Sequence, residues 1–418
     1  MPKLTNLSSR LWRIATIVFL VASVAALTYA NHCFAAQNPG GNDFLPHWVG
    51  ARAFIFENIS PYSDEVAVRI QTLAYGRPAR PGENELGIAY PLYSELLYSP
   101  FAMIGDYTLA RAVWMTFLEI TIILLAILSM RLAGWRPSFW LLPVYLVFSL
   151  LWYHGARAII NGNAVIVVAL LLVATLAAIR DQRDIAAGIF LAFATIKPNL
   201  VVLFIPFVIL WAISQRRWRL IGWTLGSLIL LILFGMLFMP NWLLQNIWEI
   251  MQYPAYNPAL SVGAALEEWL PGVGTQLKWG ATLLLAVTLL VEWWIAWGKG
   301  FTHFLWTACL TLAISQWIGI ATDPGNFIIL FLPLVLVFAV WKKRWGKVGD
   351  WVVLGSLLIL FLGLWALFLK TVQFGAQPQQ SPAMFFPLPL FVLIGLYWVR
   401  WWILAPTPRF LDKSQTSA

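Results

Sequence analysis

Charge is scarce in this chain: Asp, Glu, Lys and Arg make up 11% of its 418 residues, against 61% hydrophobic residues. Soluble domains carry about 25% charged and about 45–50% apolar residues, so a water-soluble fold, which could not hide this much apolar surface, is excluded. Cysteine is nearly absent. Cys33 and Cys309 stand far apart, one just after the first apolar run and one inside a later run, which leaves neither a disulfide framework nor a CxxC metal pair. Of the four histidines, His32, His47, His154 and His303, none has a partner at the i, i+4 spacing that grips a metal, and no metal or other cofactor is expected. Ten-residue units of alternating polarity, the mark of a membrane barrel, are missing, and so is any repeat of fixed period. The surplus of basic residues, a net +9, is not gathered into one domain with interleaved aromatics, which argues against a nucleic-acid partner.

What the chain does have is long apolar runs separated by short charged stretches. A run of about 20 such residues is what crosses a bilayer as a helix. Hydropathy places spans near residues 11–30, 107–130, 138–154, 160–179, 185–196, 199–214, 219–239, 278–297, 302–320, 326–341, 351–369 and 384–403. This predicts an all-α polytopic integral membrane protein of about twelve helices, eleven to thirteen being compatible with the pattern. Lys3, Arg10 and Arg13 precede the run from Ile14 to Ala30, the arrangement of a signal peptide or of a retained signal anchor; the anchor fits a chain whose later features all belong in a membrane. The basic clusters Arg216, Arg217, Arg219 and Lys342, Lys343, Arg344, Lys347 are expected on the cytoplasmic side, with Arg131, Arg136, Arg180 and Arg183, and both termini fall inside. The expected organisation is a signal anchor (1–30), an outer loop with interfacial helices (31–105), a helix bundle (106–403) containing a second outer loop (240–277), and a cytoplasmic tail (404–418). The threading requires Tyr90–Gly105 to lie on or dip into the outer face rather than cross.

Polar residues collect in a few places in this apolar chain, all on the expected outer side: Asp43, His47 and Arg52, then Asn161 and Asn163, Lys197, and Asp323 with Asn326. Ionisable groups at membrane depth cost about 2.5–3.5 kcal/mol on insertion scales and mark sites or pathways. Asp43, in NDFLPHWVGARAF, suits a general base drawing a proton from an acceptor hydroxyl, and suits equally a helix N-cap. Lys197, in FATIKPNLV, stands where Pro198 must break the helix and suits a phosphate ligand, the alternative being a side chain snorkelling to the headgroups. Arg52 and Arg157 are further phosphate candidates that could instead pair with loop acids. Asp64, Glu65, Glu83 and Glu85 read as a solvated loop face rather than a metal site.

The order of an outer-loop acid, an SPY turn, a YP step, an Asn-rich span entry and a KP hairpin resembles glycosyltransferase family 87, in the C-type superfamily of membrane glycosyltransferases. The stretches that carry the likeness are DFLPHWVGARAFIFENISPYSDE, AYPLYSELLYSPFAMI, IINGNAVIVVALLL and AAGIFLAFATIKPNLVVLFIP. The resemblance implies a C-type fold and a hexosyltransferase, often a mannosyltransferase. It would use a polyprenyl-phosphate sugar, invert the anomeric carbon, and work in one outer cavity of the plasma membrane on a glycolipid or glycan acceptor. It also implies Asp43 as base, Lys197 on the donor phosphate with Arg52 or Arg157, and His47, Tyr90 and Asn163 as further substrate-binding candidates. Many relatives carry a histidine just before a late span, where this chain reads GIATDPGNFIILFLP; Asp323 or Asn326 would orient the sugar there. The competing readings are a transporter or flippase of lipid-linked sugars, and a ligase or polymerase of surface glycans.

Overall fold

The computed structural model describes residues 3–81, 83–256, 262–318, 323–373 and 380–404, which are helical nearly throughout. The solvent is the reason: hydrocarbon offers no water to a backbone N–H or C=O, and a helix satisfies both within one segment. The helices are α1 (Lys3–Gln37), α2 (Leu45–Arg52), α3 (Asp64–Tyr75), α4 (Glu95–Ala102), α5 (Tyr107–Leu132), α6 (Leu141–Leu151), α7 (Tyr153–Asn161), α8 (Val165–Arg180), α9 (Asp184–Phe193), α10 (Phe204–Ser214), α11 (Trp218–Phe238), α12 (Trp242–Tyr256), α13 (Val262–Trp269), α14 (Gly274–Ala296), α15 (Phe301–Ile318), α16 (Phe331–Trp345), α17 (Lys347–Thr371) and α18 (Pro387–Leu404).

Among the described residues, seven segments are long and apolar enough to cross a membrane: Trp12–Gln37, Tyr107–Leu132, Trp218–Phe238, Gly274–Ala296, Pro324–Trp345, Lys347–Thr371 and Pro382–Leu404. The pair α7 and α8 passes the same test jointly, but the two are bent by 119° at their break. Each of the remaining expected spans also holds a helix, but several are short. At 11, 10 and 11 residues, α6, α9 and α10 are only about 15–17 Å long, roughly half the hydrocarbon core. Length and composition therefore support seven crossings, or eight with the bent pair, where hydropathy predicted about twelve. Helix α4, eight residues long, rises about 12 Å and is too short to cross. The expected second outer loop is not irregular: it carries the helices α12 and α13. Of the expected tail, everything after Leu404 lies outside the described residues.

The chain divides into two compact units, one made of Met1–Thr121, Ile159–Asn163 and Met239–Asn257, the other of the rest. In the first unit α2 packs on α3 and α4, while the turn Leu92–Ser94 packs on α12. Only 6% of the apolar window of α1 is buried, which leaves its side chains for lipid. Its C-terminal end is fastened by Asn31, whose amide donates to Thr116 Oγ1 (3.0 Å) and Glu119 Oε2 (2.9 Å) of α5. The core of the second unit is Pro324–Trp345, 94% of whose apolar window is buried, with α15, α17 and α18 packed on α16. Two residues read as topology markers also hold this unit together. Arg217 pairs with Asp184 and donates to the Ile179 carbonyl (2.9 Å), tying the α8–α9 hairpin to the start of α11. Lys342 pairs with the buried Asp350 across the Gly346 turn.

Candidate functional site

In the first unit, the segment leading to Asp43 is held by its backbone. Arg111 of α5, almost completely buried, donates to the carbonyls of Asn38 (2.7 Å) and Ile160 (3.0 Å), and the Tyr107 hydroxyl donates to that of Gly40 (2.8 Å). Gly41 then takes a left-handed φ of 83°, and the N–H groups of Asp43 and Phe44 both donate to the Asn161 carbonyl at 3.0 and 3.2 Å. The Phe44 ring is buried and stacked on Trp114 with centroids 5.5 Å apart, and the Trp114 indole donates to the Gly162 carbonyl at 2.9 Å. Asp43 thus rides on an anchored aromatic one residue ahead of the cap of α2, whose cap position is held by Phe44. Its carboxylate is close enough to Tyr98 to oppose ionisation of that phenol, which burial first and Glu95 second already push well up.

One turn further along α2, His47 is buried with Nδ1 2.7 Å from Glu95 Oε1 of α4. Its ring stacks on Tyr98 at 4.2 Å with 2° between the planes, and meets Tyr90 at 4.6 Å. The Tyr90 backbone is fixed in turn: its carbonyl accepts from the Tyr62 hydroxyl (2.8 Å) and the Asn246 amide (2.9 Å). The structure therefore brings Asp43, His47 and Tyr90 together. Arg52 lies at the opposite end of α2, donating to the carbonyls of Ala102 (2.7 Å) and Ile104 (3.4 Å) and lying over Trp48 and Phe56. Loop acids go elsewhere: Glu57 and Glu65 pair with Arg69, and Glu83 pairs with Arg77, which holds its carboxyl down to about 2.

Asn163 is buried at the break before α8. In the second unit Lys197 is buried between two short 3-10 turns, Ala194–Ile196 and Pro198–Leu200. Its backbone (φ −128°, ψ 80°) lies outside the helical region, which a following proline disfavours. Both Ala194–Ile196 and the turn Pro324–Leu330 pack on α8. At that second turn Asp323 caps the Gly325 N–H, and its two carboxylate oxygens both accept from Gln380 Nε2, at 3.2 and 3.0 Å; Arg157 stands 4.0 Å away. Gln380 is fixed by the Tyr153 hydroxyl (2.6 Å), and Asn326 is buried below the turn. No histidine neighbours Asp323 in sequence, but in space His154 of α7 donates from Nδ1 to the Pro324 carbonyl at 2.8 Å. Glu95, Tyr98, Arg111, Gln380 and His154 were missed as site residues. A signal existed for Glu95 and Arg111, each an ionisable residue inside an otherwise apolar run.

A model of glycosyltransferase family 87 matches residues 89–317, more than half of the chain. The chain belongs to glycosyltransferase family 87. No curated protein and no solved structure matches it. It is accordingly a membrane glycosyltransferase, which takes a glycosyl donor and an acceptor. The matched stretch of this family 87 chain includes Tyr90, Arg157, Asn163 and Lys197; Asp43, His47 and Arg52 precede it, and Asp323 and Asn326 follow it.

Proposed function

We propose that this glycosyltransferase moves a hexose, mannose-like, from a polyprenyl-phosphate donor to a hydroxyl of a glycolipid or glycan acceptor at the outer face of the plasma membrane, with inversion. Asp43 is the general base: it takes the acceptor hydroxyl proton as that oxygen bonds to the anomeric carbon, and the bond from that carbon to the donor phosphate breaks with its electron pair leaving on the phosphate. Lys197, with Arg157, neutralises the departing phosphate, the larger part of the catalysis where no cofactor is bound. The observation that carries this reading is the mounting of Asp43. Two backbone bonds to one carbonyl and a stacked aromatic neighbour hold its backbone, which supports a base that must meet a hydroxyl within hydrogen-bond reach.

The test is sugar transfer from labelled polyprenyl-phosphate donors by the purified chain in lipid, beside Asp43→Asn. A loss of about 10²–10⁴-fold in the variant at unchanged thermal stability supports the base; equal turnover removes it. A transporter of lipid-linked sugars is the second reading, favoured by the 119° break between α7 and α8, since broken helices line substrate paths in transporters. Movement of the lipid across vesicles without loss of its sugar would replace the first reading with that one.

A further inference from the structure

The first unit contains a buried polar arrangement that the proposed reaction does not yet use. Ser94, Glu95 and Tyr98 lie on one turn at the start of α4, all three buried. Ser94 Oγ, Glu95 Oε2 and Tyr98 Oη have no hydrogen-bond partner among the described residues. Buried polar groups are nearly always paired in folded proteins, so these three atoms mark a polar pocket wall beside His47. The other Glu95 oxygen, Oε1, is committed to His47 Nδ1 at 2.7 Å, and the His47 ring is clamped flat on Tyr98. Burial pushes the Glu95 carboxyl up, with His47 opposing it, so an ionised Glu95 depends on the imidazole. When Glu95 is ionised its oxygen accepts, so the shared proton sits on Nδ1, and in the Nδ1–H tautomer Nε2 is an acceptor. His47 Nε2 makes no hydrogen bond among the described residues.

We infer that Glu95 is a positioning residue for the transfer reaction: it holds His47 in the Nδ1–H tautomer on Tyr98, so that Nε2 accepts a hydrogen bond from a substrate hydroxyl beside Asp43. The inference rests on the transferase reading above for its substrate, and on the His47–Glu95–Tyr98 geometry for everything else. Carboxylates that orient a metal-bound histidine change affinity or activity by about 10–100-fold when removed, and orienting a histidine toward a hydroxyl is the same physical task.

The experiment compares Glu95→Leu and Glu95→Gln with the native chain in the transfer assay, and adds nitrogen NMR of histidine-labelled protein, with His47 assigned through His47→Gln. Glu95→Leu is expected to lower turnover about 10–100-fold with donor KM nearly unchanged. Glu95→Gln, whose amide oxygen still accepts from Nδ1–H, is expected to recover at least half of that loss on a logarithmic scale. Equal losses in both variants, tracking their melting temperatures, would mean a structural role only, and native turnover in Glu95→Leu would end the inference. The NMR arm stands apart from activity. If no donor is turned over, the transferase reading fails by itself; a proton on His47 Nε2 in the native chain overturns the control of the tautomer by Glu95, and one on Nδ1 that is lost in Glu95→Leu sustains that control.

Discussion

Gly162→Ala should be among the most damaging small substitutions in the first unit, and its cost can be worked from the structure. Gly162 has a φ of 73°, and a Cβ built on it would lie 2.5 Å from Phe44 Cβ and 3.1 Å from both Cδ1 and Nε1 of Trp114. The left-handed backbone costs a residue with a Cβ about 1–2 kcal/mol. The contact with Phe44 adds a further amount, because a Cβ is fixed to its backbone and no rotamer change can withdraw it; overpacking of this kind costs about 1–3 kcal/mol. The sum is about 2–5 kcal/mol. Gly76 supplies the control: its φ is 72°, but a Cβ there meets nothing within 4 Å, so Gly76→Ala should cost only the backbone part, about 1–2 kcal/mol. Denaturant unfolding of both variants in lipid isolates the contact with Phe44 as their difference. Turnover adds a second reading. Phe44 and Asp43 share the Asn161 carbonyl, so displacing one displaces the other, and a misplacement of about 1 Å can cost roughly 10²-fold in rate. Equal stability loss in the two variants, or native turnover in folded Gly162→Ala, would refute the argument that Phe44 positions the acid.

Arg111→Met removes charged bonds to the Asn38 and Ile160 carbonyls and should cost about 1.5–3 kcal/mol for each. Arg111→Lys should recover less than half of it, because an ammonium lacks the fork that spans both carbonyls; a fully stable Lys variant in the same unfolding assay would contradict this. Lys197→Gln should lower kcat/KM for a phosphate-linked donor by roughly 10- to 150-fold, the worth of about 1.5–3 kcal/mol for a charged hydrogen bond, and an unchanged donor dependence would rule the lysine out as the phosphate ligand. Glu95 makes stability depend on pH. Burial raises its folded pKa above the ordinary carboxylate value of about 4.3 against the pull of His47. The stabilisation it lends is therefore complete below that value and lost as pH rises through the folded pKa. Melting temperatures of the native chain relative to Glu95→Gln should fall between acid and neutral pH; a difference that does not move with pH would show that the carboxyl is not desolvated.

Much of the architecture could be read from the residues in order. Hydropathy located a helix in each expected span because length and apolarity are local properties of a run. Its count of about twelve spans stands beside seven helices that are long enough to cross among the described residues, because α6, α9 and α10 are apolar but short, and only the folded backbone records where a helix stops. Residues 240–277 form a connection by hydropathy alone, since no run there is apolar enough to cross; the folded chain makes helices of it, and Trp242 meets Tyr93 edge to face, with centroids 5.9 Å apart.

The site divides in the same way. By itself the chain's order determined that this is a helical membrane protein and that its motifs are those of glycosyltransferase family 87, and it singled out Asp43, Lys197 and Asp323 as candidates. Each rests on composition or on spacing within a few residues. Only the tertiary structure decided that Glu95 faces His47 across 48 positions, that Arg111 clamps segments ending at Asn38 and Ile160, and that a histidine from α7 stands at the Asp323 turn. The physical reason is that hydrogen bonds and ring stacking act over a few ångströms, while these partners lie far apart along the chain and share no periodicity with it.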